Sequence, residues 1–189
     1  MASSRAEAER VWNLPNSLTF FRIGLIPPLI LFLFFPGREG SLAAALTFAM
    51  AALTDLLDGY IARRRGTVTT TGRLLDPMAD KLLVTIPMVM LIPMGRIPAL
   101  MVALMIAREI AITALRGLAA EEGLTFKTSP LARYKTAFQS ASLIALLLHY
   151  EYLSIDFHAV GLFLFWIAFV LTIWSGLDYF FKFYIQHRR

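Results

Sequence analysis

Six long apolar stretches limit what this chain can become. They run over about residues 18–35, 41–63, 74–94, 97–118, 131–149 and 157–183. Each is long enough to cross the roughly 30 Å hydrocarbon core of a bilayer as a helix. The expected fold is therefore an all-α polytopic membrane protein with about six transmembrane helices. Pro27 and Pro28 should kink the first of them. Ahead of it, residues 3–14 alternate charged side chains with Ala, Val and Trp, the pattern of an amphipathic surface helix with Trp12 at the headgroup level. An acidic, polar dozen residues before the first span, with no small-residue cleavage pattern after it, argues against a cleavable signal peptide. With no internal repeat, low-complexity tract or linker, residues 1–189 read as a single domain whose bundle covers 18–183.

Composition agrees with that frame. Of the 189 residues 58% are hydrophobic and only 16% charged, with a mean hydropathy of +0.64, which excludes an ordinary soluble domain. The absence of cysteine removes disulfides, thiolate metal ligands and cysteine nucleophiles. A net charge of +5 suits attraction to anionic lipid and the marking of topology. The basic residues are dispersed among the spans, so nucleic acid is not an expected partner.

Their distribution sets an orientation. Arg5 and Arg10, the run Arg63, Arg64 and Arg65 with Arg73, then Lys127 with Arg133, and finally Lys182, Arg188 and Arg189 all fall on one side. The opposite connections hold only Arg38 and Arg96, and the stretch from His149 to His158 has no Lys or Arg. The positive-inside rule puts both termini at the cytoplasmic face.

On that same face lie Asp55, Asp58, Asp76 and Asp80, four of the six aspartates in the chain. A carboxylate at the centre of a membrane helix costs about 2.5–3.5 kcal/mol, and four of them on the order of 10 kcal/mol, less near the interface. Something cationic must offset that cost. Asp55 and Asp58 are spaced i, i+3 with Ala62 on the same stripe, and Asp76 and Asp80 are spaced i, i+4, so each pair shares a helix face. A short loop around Gly66 and Gly72 would let the two helices pack antiparallel and gather the four carboxylates. An oxygen-only donor set points to Mg²⁺, Mn²⁺ or Ca²⁺ and away from zinc. Two divalent ions would balance four carboxylates and suit displacement at phosphorus. Gly59, without a side chain, admits a phosphate or nucleotide close to the backbone, and Arg63 offers a forked cation to phosphate oxygens. A plainer account is a solvated acidic helix end between two spans.

A second group is basic. Arg108 and Arg116 lie eight apart on the fourth span, on similar faces, with Glu109 beside them. Lys135 opens the fifth span after Ser129, Pro130 and Arg133. Intramembrane cations gathered toward the cytoplasmic side suggest an anion pocket. Alternatively, Arg108 and Glu109 form a structural pair while Lys135 snorkels.

The spacing D-x-x-D-G-x-x-A-R, eight residues, G-x-x-x-D-x-x-x-D from Asp55 to Asp80 resembles, position for position, the signature of the CDP-alcohol phosphotransferases. The resemblance implies a membrane enzyme that moves a substituted phosphate from a CDP-linked donor to an alcohol and releases CMP. Four further stretches are similar to the phosphatidylglycerophosphate synthase branch of that family. They are Asn13-Leu14-Pro15-Asn16-Ser17-Leu18-Thr19-Phe20-Phe21-Arg22, Leu75 to Lys81, Arg108-Glu109 with Ala114-Leu115-Arg116, and Tyr134-Lys135-Thr136 with Gln139. The likeness covers about residues 13–180 and is weakest after Thr136. Ala132-Arg133 stands where that branch usually has Gly-Lys.

What the likeness implies is specific. CDP-diacylglycerol would be the donor and sn-glycerol 3-phosphate the acceptor. Asp55, Asp58, Asp76 and Asp80 would hold two Mg²⁺ or Mn²⁺ ions, with Asp80 also the general base. Asn16, Thr19, Asp55, Gly59, Ala62, Arg63 and Gly72 would line the CDP site. Arg108, Arg116, Arg133 and Lys135 would bind the acceptor phosphate. The protein would be a homodimer surrounded by lipid in the cell inner (cytoplasmic) membrane. Serine, inositol phosphate or phosphatidylglycerol are rival acceptors. A divalent-cation transporter is the rival of another class, disfavoured because the outer halves of the spans are nearly all apolar.

Overall fold

The computed structural model describes residues 14–35, 37–65, 70–122 and 130–187, with side chains described over 17–35, 37–55, 75–122 and 134–185. The described residues form six helices: α1 Leu14–Phe34, α2 Arg38–Arg65, α3 Thr70–Leu91, α4 Ala99–Glu121, α5 Pro130–Leu148 and α6 Phe157–His187. Each coincides with one of the six apolar stretches. The surface helix expected over residues 3–14 lies outside the described residues up to its last position. Helix α1 runs unbroken through Pro27 and Pro28. Gly72, expected in a loop, falls in the first turn of α3.

The chain divides into two compact units, residues 1–90 and 91–189. In the first, α1 packs on α2. Ile26, Leu29 and Leu33 are buried on α1, and Ala44, Ala45, Phe48 and Ala51 on α2. Alanines at such a contact let helix backbones approach closely, the usual way helices associate where solvent is already apolar.

In the second unit α6 packs against both α4 and α5. Gly161 of α6 sits on Leu146 of α5 so closely that an added Cβ would lie 2.7 Å from Leu146 Cγ and 2.8 Å from its backbone nitrogen. The two helices are joined by a hairpin in which β1 (Glu151–Tyr152) pairs antiparallel with β2 (Ile155–Asp156). Its loop residues Leu153 and Ser154 both have positive φ, +53° and +63°. That is the backbone a tight two-residue hairpin demands, here without the usual Asn or Gly. Strands of two residues carry no readable alternation, and the hairpin was not expected from the sequence.

Arg96 explains one of the two basic residues on the sparsely charged side. It is buried, and its Nη1 donates to the carbonyls of Leu146 (3.2 Å) and Leu147 (3.1 Å). Those carbonyls end α5 and lack helical partners, and a cation there also meets the negative end of the helix dipole. Arg96 is a helix cap more than a topology marker.

Polarity is arranged inside out. Phe34, Leu100, Phe163 and Trp174 are 66–72% exposed, whereas Thr19, Thr172 and Arg22 are at most 1% exposed. Water disfavours apolar exposure on this scale. Among the described residues two helices, over Ser17–Phe34 and Phe157–Ile185, are long and apolar enough to cross a membrane, with mean hydropathies of 1.9 and 2.1. Helices α2 to α5 hold the charged residues of both candidate sites, which dilutes their hydropathy. The count of six spans therefore exceeds what composition and length alone establish.

Candidate active site

In the first unit, the face of α1 that carries Thr19 and Arg22, one turn apart, receives three of the four aspartates. The Thr19 hydroxyl donates to Asp76 Oδ1. Arg22 Nη1 lies 2.5 Å from Asp80 Oδ1 and 2.8 Å from Asp55 Oδ1. A single guanidinium nitrogen thus joins the C-terminal half of α2 to the middle of α3. The Arg22 side chain is 1% exposed, yet Asp55 and Asp80 keep 42% and 50% of their side-chain surface open. The cation is sealed behind the carboxylates, and the carboxylates face outward.

Arg22 is the residue that sequence reasoning passed over, noticing it only as the end of the N-terminal pattern. A signal was present. An arginine inside an apolar span needs a counter-charge, and the aspartate cluster supplies the nearest carboxylates. Asp58, Gly59, Ala62 and Arg63 belong to α2, Gly72 to α3 and Asn16 to α1, but their side chains lie outside the described residues, as does that of Arg133.

Among the described residues, no three His, Cys, Asp or Glu side chains are gathered around one ion position. The donor chemistry nevertheless fits a hard divalent cation. Asp55 and Asp80 both meet Arg22 Nη1 and keep about half of their side-chain surface open, Asp76 is oriented by Thr19, and no sulfur or imidazole is among them.

The second unit holds the basic group. Glu109 Oε2 accepts from Arg108 Nη1 at 3.0 Å and from Lys135 Nζ at 2.5 Å. Arg108 Nη2 also donates to Ser175 Oγ at 2.9 Å. The Arg108–Glu109 pair considered from sequence is present. Lys135, however, does not snorkel: it is buried and turned inward onto Glu109. Arg116 places its guanidinium carbon 5.6 Å from the centroid of the Tyr179 ring, and its charge is felt by both Arg108 and Lys135. Two cations hold one carboxylate, and Arg116 adds a third positive charge near them. Their mutual repulsion is what an anionic ligand would relieve.

The sequence matches the family model described as CDP-alcohol phosphatidyltransferase over residues 12–174. It is 38% identical over 187 residues to the CDP-diacylglycerol--glycerol-3-phosphate 3-phosphatidyltransferase of Bacillus subtilis (strain 168), covering 91% of this chain and 95% of that protein. Proteins of the same name from Rickettsia bellii (strain RML369-C) and Shigella flexneri serotype 5b (strain 8401) are 39% identical over 169 residues and 42% identical over 175. Each of these matches covers 89% of this chain and 93% of the relative.

Proposed function

This chain belongs to the CDP-alcohol phosphatidyltransferase family, and we propose that it transfers the phosphatidyl group of CDP-diacylglycerol to sn-glycerol 3-phosphate, giving phosphatidylglycerophosphate and CMP. The names of its relatives support both donor and acceptor. One observation in the molecule carries the choice of acceptor. Arg108, Arg116 and Lys135 against Glu109 leave two positive charges in excess, the complement of a phosphate monoester dianion. Serine brings no phosphate, and phosphatidylglycerol would require a second lipid groove. Inositol phosphate has the same dianion and differs only in its alcohol. Family membership leaves the transport alternative without support.

The family's chemistry is divalent-metal dependent. Asp55, Asp58, Asp76 and Asp80 would hold two Mg²⁺ or Mn²⁺ ions, which would neutralise charge on the diphosphate and stabilise departing CMP. Arg22 fixes the directions of Asp55 and Asp80, and Thr19 that of Asp76, so the carboxylates need little reorganisation. Asp80 takes the proton of the acceptor 1-hydroxyl. The freed oxygen attacks the phosphorus that bears diacylglycerol, and the bond from that phosphorus to the CMP oxygen breaks. No covalent enzyme intermediate is needed. Asn16, Gly59, Ala62, Arg63 and Gly72 would line the CDP side, and Arg133 would join the acceptor cations. The protein acts as a single domain and a homodimer, with six spans in the cytoplasmic membrane and both termini inside.

Steady-state kinetics of Arg116→Ala and Lys135→Ala test the acceptor assignment. Each variant removes a charge-assisted contact, so KM for glycerol 3-phosphate should rise about tenfold or more while KM for CDP-diacylglycerol stays near its original value. An unchanged glycerol 3-phosphate dependence in both variants would remove the acceptor site.

A further inference from the structure

We infer that the last helix is part of the acceptor site, with Ser175, Gly176 and Tyr179 of α6 positioning Arg108 and Arg116 of α4 for the acceptor phosphate. The inference rests on the acceptor assignment made above. It extends that site into a region where the family likeness is weakest and where no motif marks a functional residue.

Thr172, Ser175, Gly176 and Tyr179 are spaced i, i+3, i+4 and i+7, a single stripe along α6. Ser175 Oγ accepts from Arg108 Nη2 at 2.9 Å and donates to the Thr172 carbonyl at 3.1 Å. The second bond fixes where the hydroxyl proton points, leaving a lone pair for the guanidinium. Gly176 supplies a groove: a Cβ there would lie 2.9 Å from both Cγ and Nε of Arg108. The arginine stem is laid along bare helix backbone, where only glycine has room. Arg108 Nε has no hydrogen-bond partner among the described residues, so its guanidinium is oriented by Nη1 on Glu109 and Nη2 on Ser175. One turn on, Tyr179 presents its ring to Arg116 at 5.6 Å, within cation–π range.

The arrangement does more than fill space. A phosphate recognises an arginine through a planar fork whose angle must be set in advance. Two arginines on one helix are both backed by one stripe of a neighbouring helix, which sets their angles without adding a counter-charge. Ser175, Gly176 and Tyr179 are positioning residues. They act on the acceptor through Arg108 and Arg116.

The test is steady-state kinetics of the full-length protein with both substrates titrated, for Ser175→Ala, Ser175→Thr, Gly176→Ala and Tyr179→Leu, with Arg108→Ala run in parallel. Loss of a hydrogen bond to a charged group predicts that Ser175→Ala raises KM for glycerol 3-phosphate about tenfold. Its kcat and its KM for CDP-diacylglycerol should stay within about twofold on the same grounds. Ser175→Thr keeps the hydroxyl and should behave as the parent. Gly176→Ala pushes the guanidinium aside and should raise the same KM at least as much, and Tyr179→Leu about threefold through the lost cation–π contact. Equal losses for both substrates, or Ser175→Thr as impaired as Ser175→Ala, would mean the stripe merely packs. Should Gly176→Ala fail to fold, the two Ser175 variants decide. If Arg108→Ala raises the acceptor KM and Ser175→Ala does not, the positioning role fails while the acceptor site stands. If neither does, the acceptor site itself is wrong.

Discussion

Arg22 does at the scale of one residue what the aspartate cluster requires. Carboxylates crowded between two helices repel, and a buried guanidinium touching Asp55 and Asp80 holds them before any other cation arrives. Arg22→Met keeps the apolar stem and removes the charge. With metal chelated, it should destabilise the protein by about 1–3 kcal/mol, below the 3–5 kcal/mol of a fully buried pair because both aspartates remain half open. Added Mn²⁺ should restore more melting temperature to the variant than to the parent, since it replaces the missing charge. An equal Mn²⁺ response in thermal unfolding would contradict this role. Asp80→Asn tests the proton transfer. It keeps an oxygen and the Arg22 contact but cannot accept the hydroxyl proton, so the rate should fall about 10²- to 10⁴-fold while CDP-diacylglycerol binding persists. A rate within a few-fold of the parent would move the base elsewhere.

At the scale of elements, the helices were legible because each apolar stretch had to be satisfied within its own backbone. The connections were not. The hairpin of residues 151–156 offers no periodicity, and its turn uses Leu153 and Ser154 in a conformation that favours Gly and Asn, so the local signal pointed away from the outcome. Arg96 likewise read as a loop charge because its acceptors, the Leu146 and Leu147 carbonyls, are some fifty positions away in sequence. Arg96→Met should leave those carbonyls unsatisfied and cost about 1–3 kcal/mol in thermal unfolding. The glycerol 3-phosphate KM should be unaltered. A variant as stable as the parent would mean that water caps α5 instead.

For the whole molecule, the sequence exposed the charged candidates better than their supports. Asp55, Asp76, Asp80, Arg108, Arg116 and Lys135 stood out as candidates because charge inside an apolar stretch is costly without a purpose. Thr19, Arg22, Ser175 and Tyr179 were not assigned these supporting roles. Thr, Ser and Tyr are ordinary in membrane helices, and the carboxylate or guanidinium partners of the first three lie 33 to 67 positions away, a separation that no local pattern encodes. Setting Arg96 aside as a helix cap also sharpens the charge asymmetry, leaving Arg38 as the main basic residue on the far side.

The central claim is a transfer, and its most direct measurement follows both products at once. Purified protein is given CDP-diacylglycerol, Mn²⁺ and radiolabelled sn-glycerol 3-phosphate, with labelled serine and inositol phosphate in parallel reactions. Label from glycerol 3-phosphate should enter the lipid phase in step with CMP release, one for one, while neither other alcohol is incorporated. CMP released without lipid labelling, or label entering lipid from serine or inositol phosphate in place of glycerol 3-phosphate, would contradict it.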